Sequence, residues 1–398
     1  MSYKLSVISV AVASVLLAGS ALAANMGPEA GTVFEPATIK AGVFEVMPWI
    51  GLATGKNSNT GSSNTTKTSS NVTSLNPNVV VGLPTQGQMY ALKYAGNYTQ
   101  FASSSVDNFN DHNFSAFADN AWTTRLHSLV NINYSKGHDA RNAVLTGSKE
   151  LWHGNEINAM GHYGAEGALG QFELSAGQIA KRYDTNNSGA TQFYNNDKTN
   201  VKGTFFYRVA PATQMFVEAG NTRISYTVAS PTPLDSNEQR VMAGVKWEAT
   251  AKTTGSVKLG MLQKNFDSSL RPNKSSLVWD ADVTWSPKQY SKFDASLHQT
   301  ANEDGSVGGY MISRDSNLAW SQDWSGFISS KVALGDGLDN FQSGLRTDKR
   351  QSYSVKGTYG FRSWLRAGLE FKNTKRNSSD AKWSYTQDVT MLTLEGSL

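Results

Sequence analysis

Lys246 and Glu248 are separated by one residue, and so are Asp280 and Asp282. In an extended strand that spacing places both members on one face, so each pair would present ionised groups side by side. Such groups can pair across strands, do general acid–base work, or touch a hydrated charged solute in passing. The enzymatic options find little support. The chain contains no GxSxG, no HExxH and no glycine-rich phosphate loop. Its histidines are His112, His127, His138, His153, His162 and His298, and no two are spaced as a zinc pair. It has no cysteine, which removes thiol nucleophiles, zinc thiolates and disulfides, and no metal or cofactor is expected.

What the charged pairs face depends on the elements that carry them. In the stretch Ala243 to Gln263, Ala243, Val245, Trp247 and Ala249 alternate with Gly244, Lys246 and Glu248. After a short polar turn, Val257, Leu259 and Met261 alternate with Ser256, Lys258 and Gly260. This is a hairpin with one apolar and one charged face. The same period recurs over segments 43–53, 75–83, 88–101, 109–122, 124–136, 153–166, 168–180, 197–207, 212–226, 238–249, 255–266, 275–286, 292–301, 307–320, 322–334, 349–360, 362–375 and 383–397.

The connections alternate between long and short. Long polar ones fall at 54–74, 102–108, 137–152, 181–196, 227–237, 267–274, 302–306, 335–348 and 376–382. Short ones lie near Pro84, Thr123, Gly167, Pro211, Lys252, Pro287, Gln322 and Phe361. A sandwich has no reason to sort loops by end, whereas an outer-membrane barrel has tight periplasmic turns and long outer loops. Trp122, Trp247, Trp285, Trp320, Trp324, Phe361 and Trp364 all lie near short turns and would gather into one interfacial aromatic girdle. The expected fold is therefore an all-β, transmembrane outer-membrane barrel of about 18 antiparallel strands, with 16 as the alternative count.

The N-terminus agrees with export. Lys4, the apolar run Leu5 to Ala18 and the small-residue site Ala21-Leu22-Ala23 read as a signal peptide cleaved after Ala23. The domain reading is 1–23 signal peptide, 24–42 periplasmic segment and 43–398 barrel, with outer-membrane lipid as surroundings. A hydrophobic content of 39 % would equally suit a soluble protein, so composition does not decide the class. A net charge of +4 is too small to argue for nucleic acid.

In such a barrel the apolar face meets lipid and the polar face meets the lumen. On 275–286, Leu277, Trp279, Ala281, Val283 and Trp285 face lipid while Asp280, Asp282 and Thr284 face in. Similar readings place Lys93, Arg125, Glu156, Lys202, Arg240, Lys246, Glu248, Lys258, Asp294, His298, Lys331, Lys356, Arg366, Glu370 and Lys372 on the lumen wall. Segments 168–180, 212–226 and 307–320 alternate poorly, which leaves their faces open. A ring this wide encloses an aqueous channel, and its mixed charges suit weak, multi-site contact with a hydrated, anionic solute. Loops 54–74 and 137–152 are long enough to fold inward and narrow it.

Three stretches carry a resemblance: YALKYAGNYTQFASSSVDNFNDHNF (Tyr90 to Phe114), VNINYSKGHDARNAVL (Val130 to Leu145) and GVKWEATAKTTGSVKLGMLQKNFD (Gly244 to Asp267). They resemble the β-barrel porin family of capsule and exopolysaccharide operons, the EpsL-type outer-membrane proteins. The resemblance implies export of a polysaccharide to the cell surface, with periplasmic polysaccharide-export and copolymerase proteins docking at short turns such as those holding Lys252 and Lys288. It implies no catalytic residues. Gly137, His138, Asp139 and Arg141 match the family's recurrent motif leading from a strand into an outer loop. Two other readings compete: a general or substrate-specific diffusion porin for small sugars or ions, and an outer-membrane enzyme modifying lipid or glycan.

Overall fold

The computed structural model describes residues 37–141, 147–184, 191–229, 233–250, 252–304, 309–342 and 346–397. The expected signal peptide, its expected cleavage site and residues 24–36 lie outside the described residues. The alternating segments become strands throughout. A short β1 (Ile39–Ala41) pairs with the start of β2 (Phe44–Asn57), which is followed by β3 (Ser70–Thr85), β4 (Gln88–Phe101) and β5 (Phe109–Ala121). Then come β6 (Leu126–Asp139), β7 (Glu150–Tyr163), β8 (Gly170–Tyr183), β9 (Asn196–Ala210) and β10 (Thr213–Tyr226). The next hairpins are β11 (Ser236–Thr250), β12 (Thr253–Phe266), β13 (Lys274–Lys288) and β14 (Ser291–Asp304). The last five strands are β15 (Gly309–Asp323), β16 (Ile328–Phe341), β17 (Thr347–Arg362), β18 (Leu365–Ser378) and β19 (Tyr385–Ser397).

Each strand from β2 onward pairs antiparallel with the next, and β19 returns to β2 from Val389↔Asn57 to Ser397↔Trp49. The nineteen strands less β1 thus form a closed ring of eighteen. Closure follows from the solvent: in hydrocarbon an open strand edge leaves backbone donors and acceptors without partners.

The faces follow the two-residue period. Leu259, Leu297, Leu318, Leu334, Val355 and Leu369 form an outward apolar band, each about half exposed to the surrounding phase. Near the short turns, rings pass from strand to strand in contact, from Trp285 to Phe293 (5.2 Å), Trp320 (6.1 Å) and Trp324 (6.1 Å). Two of those turns use one device. In Trp122-Thr123 and Trp324-Ser325 the indole donates to a serine six residues on (Ser128 and Ser330, both 2.8 Å), and the hydroxyl of Thr123 or Ser325 accepts from the backbone three residues on. Gly87 closes the β3–β4 turn at φ +78°, a backbone region that favours glycine.

Several strands run further outward than the apolar alternation signals. β2 continues to Asn57 and β3 begins at Ser70, so the loop expected at 54–74 shrinks to 58–69. Outward Thr54, Lys56, Asn71 and Thr73 carry the ladder above the apolar band, where water bathes the outer wall and polar side chains erase the pattern. At the opposite end, β6 starts at Leu126 rather than 124, because Trp122 to Arg125 form the turn.

Depth sets the cost of change on the outer face. Leu259→Arg, at mid-band, should destabilise the barrel by about 2–4 kcal/mol, whereas Lys258→Arg on the lumen side should cost under about 1 kcal/mol. Urea unfolding in phospholipid vesicles measures both.

Candidate functional site

The lumen has two chemically different walls. On β3 to β9 many of its inward side chains are amides and hydroxyls, with the charges Lys93, Glu156 and Glu173 among them. Ser74 bonds Thr99 (2.7 Å), Asn113 donates to Asn133 (2.8 Å) and Ser135 (2.9 Å), and Ser115 donates to Asn133 (3.0 Å). Gly177 sits where a side chain would strike the amides of Asn158 and Asn200, so its missing Cβ leaves room for both.

On β9 to β18 charged inward residues are more frequent. Lys93, on the amide wall, and Lys202, Arg240, Lys246, Lys258, Asp280, Asp282, Asp294, His298, Lys331, Lys356, Arg366, Glu370 and Lys372 all have inward register. Glu248 lies at the turn end of the same face, exposed, 3.8 Å from Lys246. Arg125 is the correction: it is an exposed turn residue outside β6, held by its backbone N–H to Thr123 Oγ1 (3.1 Å), and lines no wall.

Pairing organises this wall. Glu218 forms ion pairs with Lys202 (3.3 Å) and Lys258 (3.6 Å), and buried Arg366 binds Glu395 (Nε–Oε2 2.8 Å). His298 lies between two carboxylates, with Nδ1 3.4 Å from Asp280 and Nε2 3.5 Å from Asp282. The three groups approach within 4.8 Å. Because opposite ring nitrogens face the two acids and Lys258 stands beside Asp280 in register, the geometry suits a bridging imidazole more than a metal. Acidic positions on β13–β15 therefore adjoin basic positions on β16–β18, where Lys331 and Lys356 are directly opposed.

Towards the long-loop end the lumen is narrowed from two sides. The β13–β14 ladder ends at Trp279↔Gln299, yet β14–β15 continues to Asp304↔Gly309. Released from β13, the end of β14 leans over the lumen face of β11–β13. Ala301 packs on Met242, Leu262 and Val278, and Arg240 donates to Thr300 Oγ1 (2.9 Å). By strand parity Glu303 would face outward, but it accepts from Lys264 (2.6 Å) and from the Tyr226 hydroxyl (2.5 Å). Lys264 is fully buried, with Glu238 as its second partner at 2.9 Å. Removing one partner from such a cluster costs roughly 3–5 kcal/mol.

The second narrowing repeats the device. The β5–β6 ladder ends at His112↔Lys136. Beyond it His138, outward by parity, stacks on Phe109 (4.0 Å) and bonds inward Asp111 (3.0 Å). The rest of the Gly137–Arg141 motif has separate tasks. Gly137 leaves space for Trp152, whose ring lies 2.8 Å from where a Cβ would be. Asp139 accepts from Trp152 Nε1 (3.1 Å), Tyr183 (2.7 Å) and Lys181 (3.3 Å). Arg141 grips Asp107 of the β4–β5 loop through two bonds (2.7 and 2.8 Å) and lies against Gly61. Loop 58–69 is tied at its other side to β19, where Asn59 donates to the Thr386 carbonyl (3.0 Å) and Gln387 to that of Asn59 (2.7 Å). It therefore covers the sector of the mouth from β19 to the end of β6.

A family model described as "Putative beta-barrel porin 2" matches residues 32–397. The chain belongs to this porin family. It is an outer-membrane barrel, and the capsule-operon branch implied by the resemblance is a finer attribution than that match carries. The porin is similar in fold to a BenF-like porin from Pseudomonas fluorescens Pf-5 (10% identity, 89% of this chain and 99% of that one, TM-score 0.50). Weaker likenesses are to OpdK from Pseudomonas aeruginosa with vanillate (12% identity, 88% and 98%, TM-score 0.47) and the FrpB iron transporter from Neisseria meningitidis (11% identity, 83% and 63%, TM-score 0.47). No curated relative matches the porin in sequence.

Two residues that shape this porin's lumen escape the sequence reading for different reasons. Glu218 sits between inward Phe216 and Gly220, so β10 has no clean polar face to read. Lys264 has the same parity as Lys258 and was reachable by extending that alternation, but its burial depends on Glu303 from a distant hairpin.

Burial alone would raise the pKa of Asp107, but hydrogen bonds from Arg141 and Ser104 prevail and hold it below the usual aspartate range. A depressed carboxylate contributes its stability above the ordinary pKa and loses it as pH falls through the lower clamped value. Single-channel conductance in planar bilayers should therefore stay flat from about pH 8 to about pH 4 and rise only below that. Arg141→Met should remove the plateau and raise conductance at neutral pH by a factor on the order of 1.5–2, since the narrowest segment dominates resistance.

Proposed function

We propose that this porin is a selective diffusion channel for small polar solutes, sugars or ions, and the observation that carries the reading is the inward-held mouth. Loop 58–69 is tied to β19 by hydrogen bonds and lies against Arg141, which grips Asp107, while the end of β14 is anchored by the buried Lys264–Glu303 pair, which suits a fixed size limit. Below the mouth, amides and hydroxyls on one wall offer exchangeable hydrogen bonds to hydroxylated solutes, and adjoining acidic and basic strips orient charged ones. Contacts of this kind are weak and repeated, as passage requires.

Export of capsular or exopolysaccharide is the second reading, favoured by the same amide and hydroxyl wall, which would meet sugar hydroxyls along its length. Under it a periplasmic export protein docks at the short turns. Deleting the gene while the synthesis genes stay intact separates the two, because normal surface polymer excludes export.

In reversal-potential measurements the mixed walls should give permeability ratios for chloride and potassium within about threefold of unity. Lys331→Glu with Lys356→Glu should shift preference towards cations several-fold, roughly 1 kcal/mol in relative barrier. No single-channel current in planar bilayers together with no monosaccharide uptake in liposome swelling would overturn the diffusion reading.

A further inference from the structure

On the lipid-facing wall a groove runs along β14–β18, with Leu297, Leu318, Leu334 and Tyr353 in its lining. Strand register fixes what lies above it. Leu318, Leu334 and Tyr353 form one outward row. The next row towards the long loops is Ser316, Asp336, Gln351 and Lys375, and the one beyond it is Arg314, Leu338 and Lys349. Three cations, Arg314, Lys349 and Lys375, thus stand within two rows of the upper edge of the apolar band. All three are exposed, and among the described residues none has an ion pair or side-chain hydrogen bond. Asp336 is the one carboxylate in these rows. Arg223, an outward base near the mouth on β10, is by contrast neutralised by Asp267 at 2.5 Å.

Aliphatic side chains at bilayer depth with unneutralised cations at headgroup depth match a ligand that has acyl chains below and phosphate above. We propose that this groove docks a phosphorylated, acylated glycolipid of the outer leaflet, its chains along Leu297, Leu318 and Leu334 and its phosphates on Arg314, Lys349 and Lys375. The arginine supplies a planar fork for two phosphate oxygens, and the lysines supply point charges. The site depends on the outer wall alone and is independent of what the lumen carries.

Refolded barrel in neutral-phospholipid vesicles, titrated with lipid A and followed by thermal unfolding, tests this directly. Wild type should gain a saturable rise in midpoint. Arg314→Gln/Lys349→Gln/Lys375→Gln should bind on the order of 100-fold more weakly, about 5-fold for each charge. Lys375→Gln alone should lose about 5-fold, which keeps the test open if the triple variant folds poorly. Lys56→Gln/Lys136→Gln, which removes outward bases elsewhere on the rim, should bind as wild type. The site is overturned if the triple variant retains wild-type affinity, if the rim control loses as much, or if lipid A stripped of phosphate or phosphatidylglycerol gives the same shift.

Discussion

The ladder between β19 and β2 is the constraint on which everything else rests. A sheet of this length in hydrocarbon cannot end, because each unpaired backbone group costs several kcal/mol with no water to receive it. Pairing Val389–Ser397 with Trp49–Asn57 removes the last edge. Closure at eighteen strands then dictates a lumen too wide for side chains to fill, and a wide lumen must be wet. The ionised residues at inward positions are stable for that reason, and the apolar band outside is the other half of the same requirement.

Where the ladder stops early, the strand gains a freedom the mouth uses. β14 beyond Gln299 and β6 beyond Lys136 each lose one neighbour, and both lean inward. In each case a residue that parity assigns to the outside, Glu303 or His138, ends in a buried polar contact on the inside. The two anchors are chemically unlike: Lys264 is fully enclosed by two carboxylates and aromatic rings, while Arg141 grips Asp107 across a loop. Their shared effect is to fix the size of the opening by charge pairing.

Much of this was legible in the sequence. Strand count, loop asymmetry and girdle follow from period and turn residues, since each reports a local choice between lipid and water. Inward lysines such as Lys258 and Lys356 follow from the same parity. The failures are equally local in cause. Arg125 looked like a strand residue because the Trp-Thr turn is compact and its capping hydroxyl leaves no period to read. The outer reaches of β2 and β3 were hidden because both their faces meet water. The Gly137–Arg141 motif was visible as a pattern, but its partners Asp107, Asp111 and Trp152 come from three other elements, which no spacing rule connects.

Among the described residues the channel is therefore asymmetric, with its constriction at the loop end. Partitioning of polyethylene glycols into the pore from each side of a planar bilayer measures this most directly. Polymers that enter from the turn side and lower conductance should fail to enter from the loop side until they are distinctly smaller. Equal size limits from both sides would contradict an inward-held mouth.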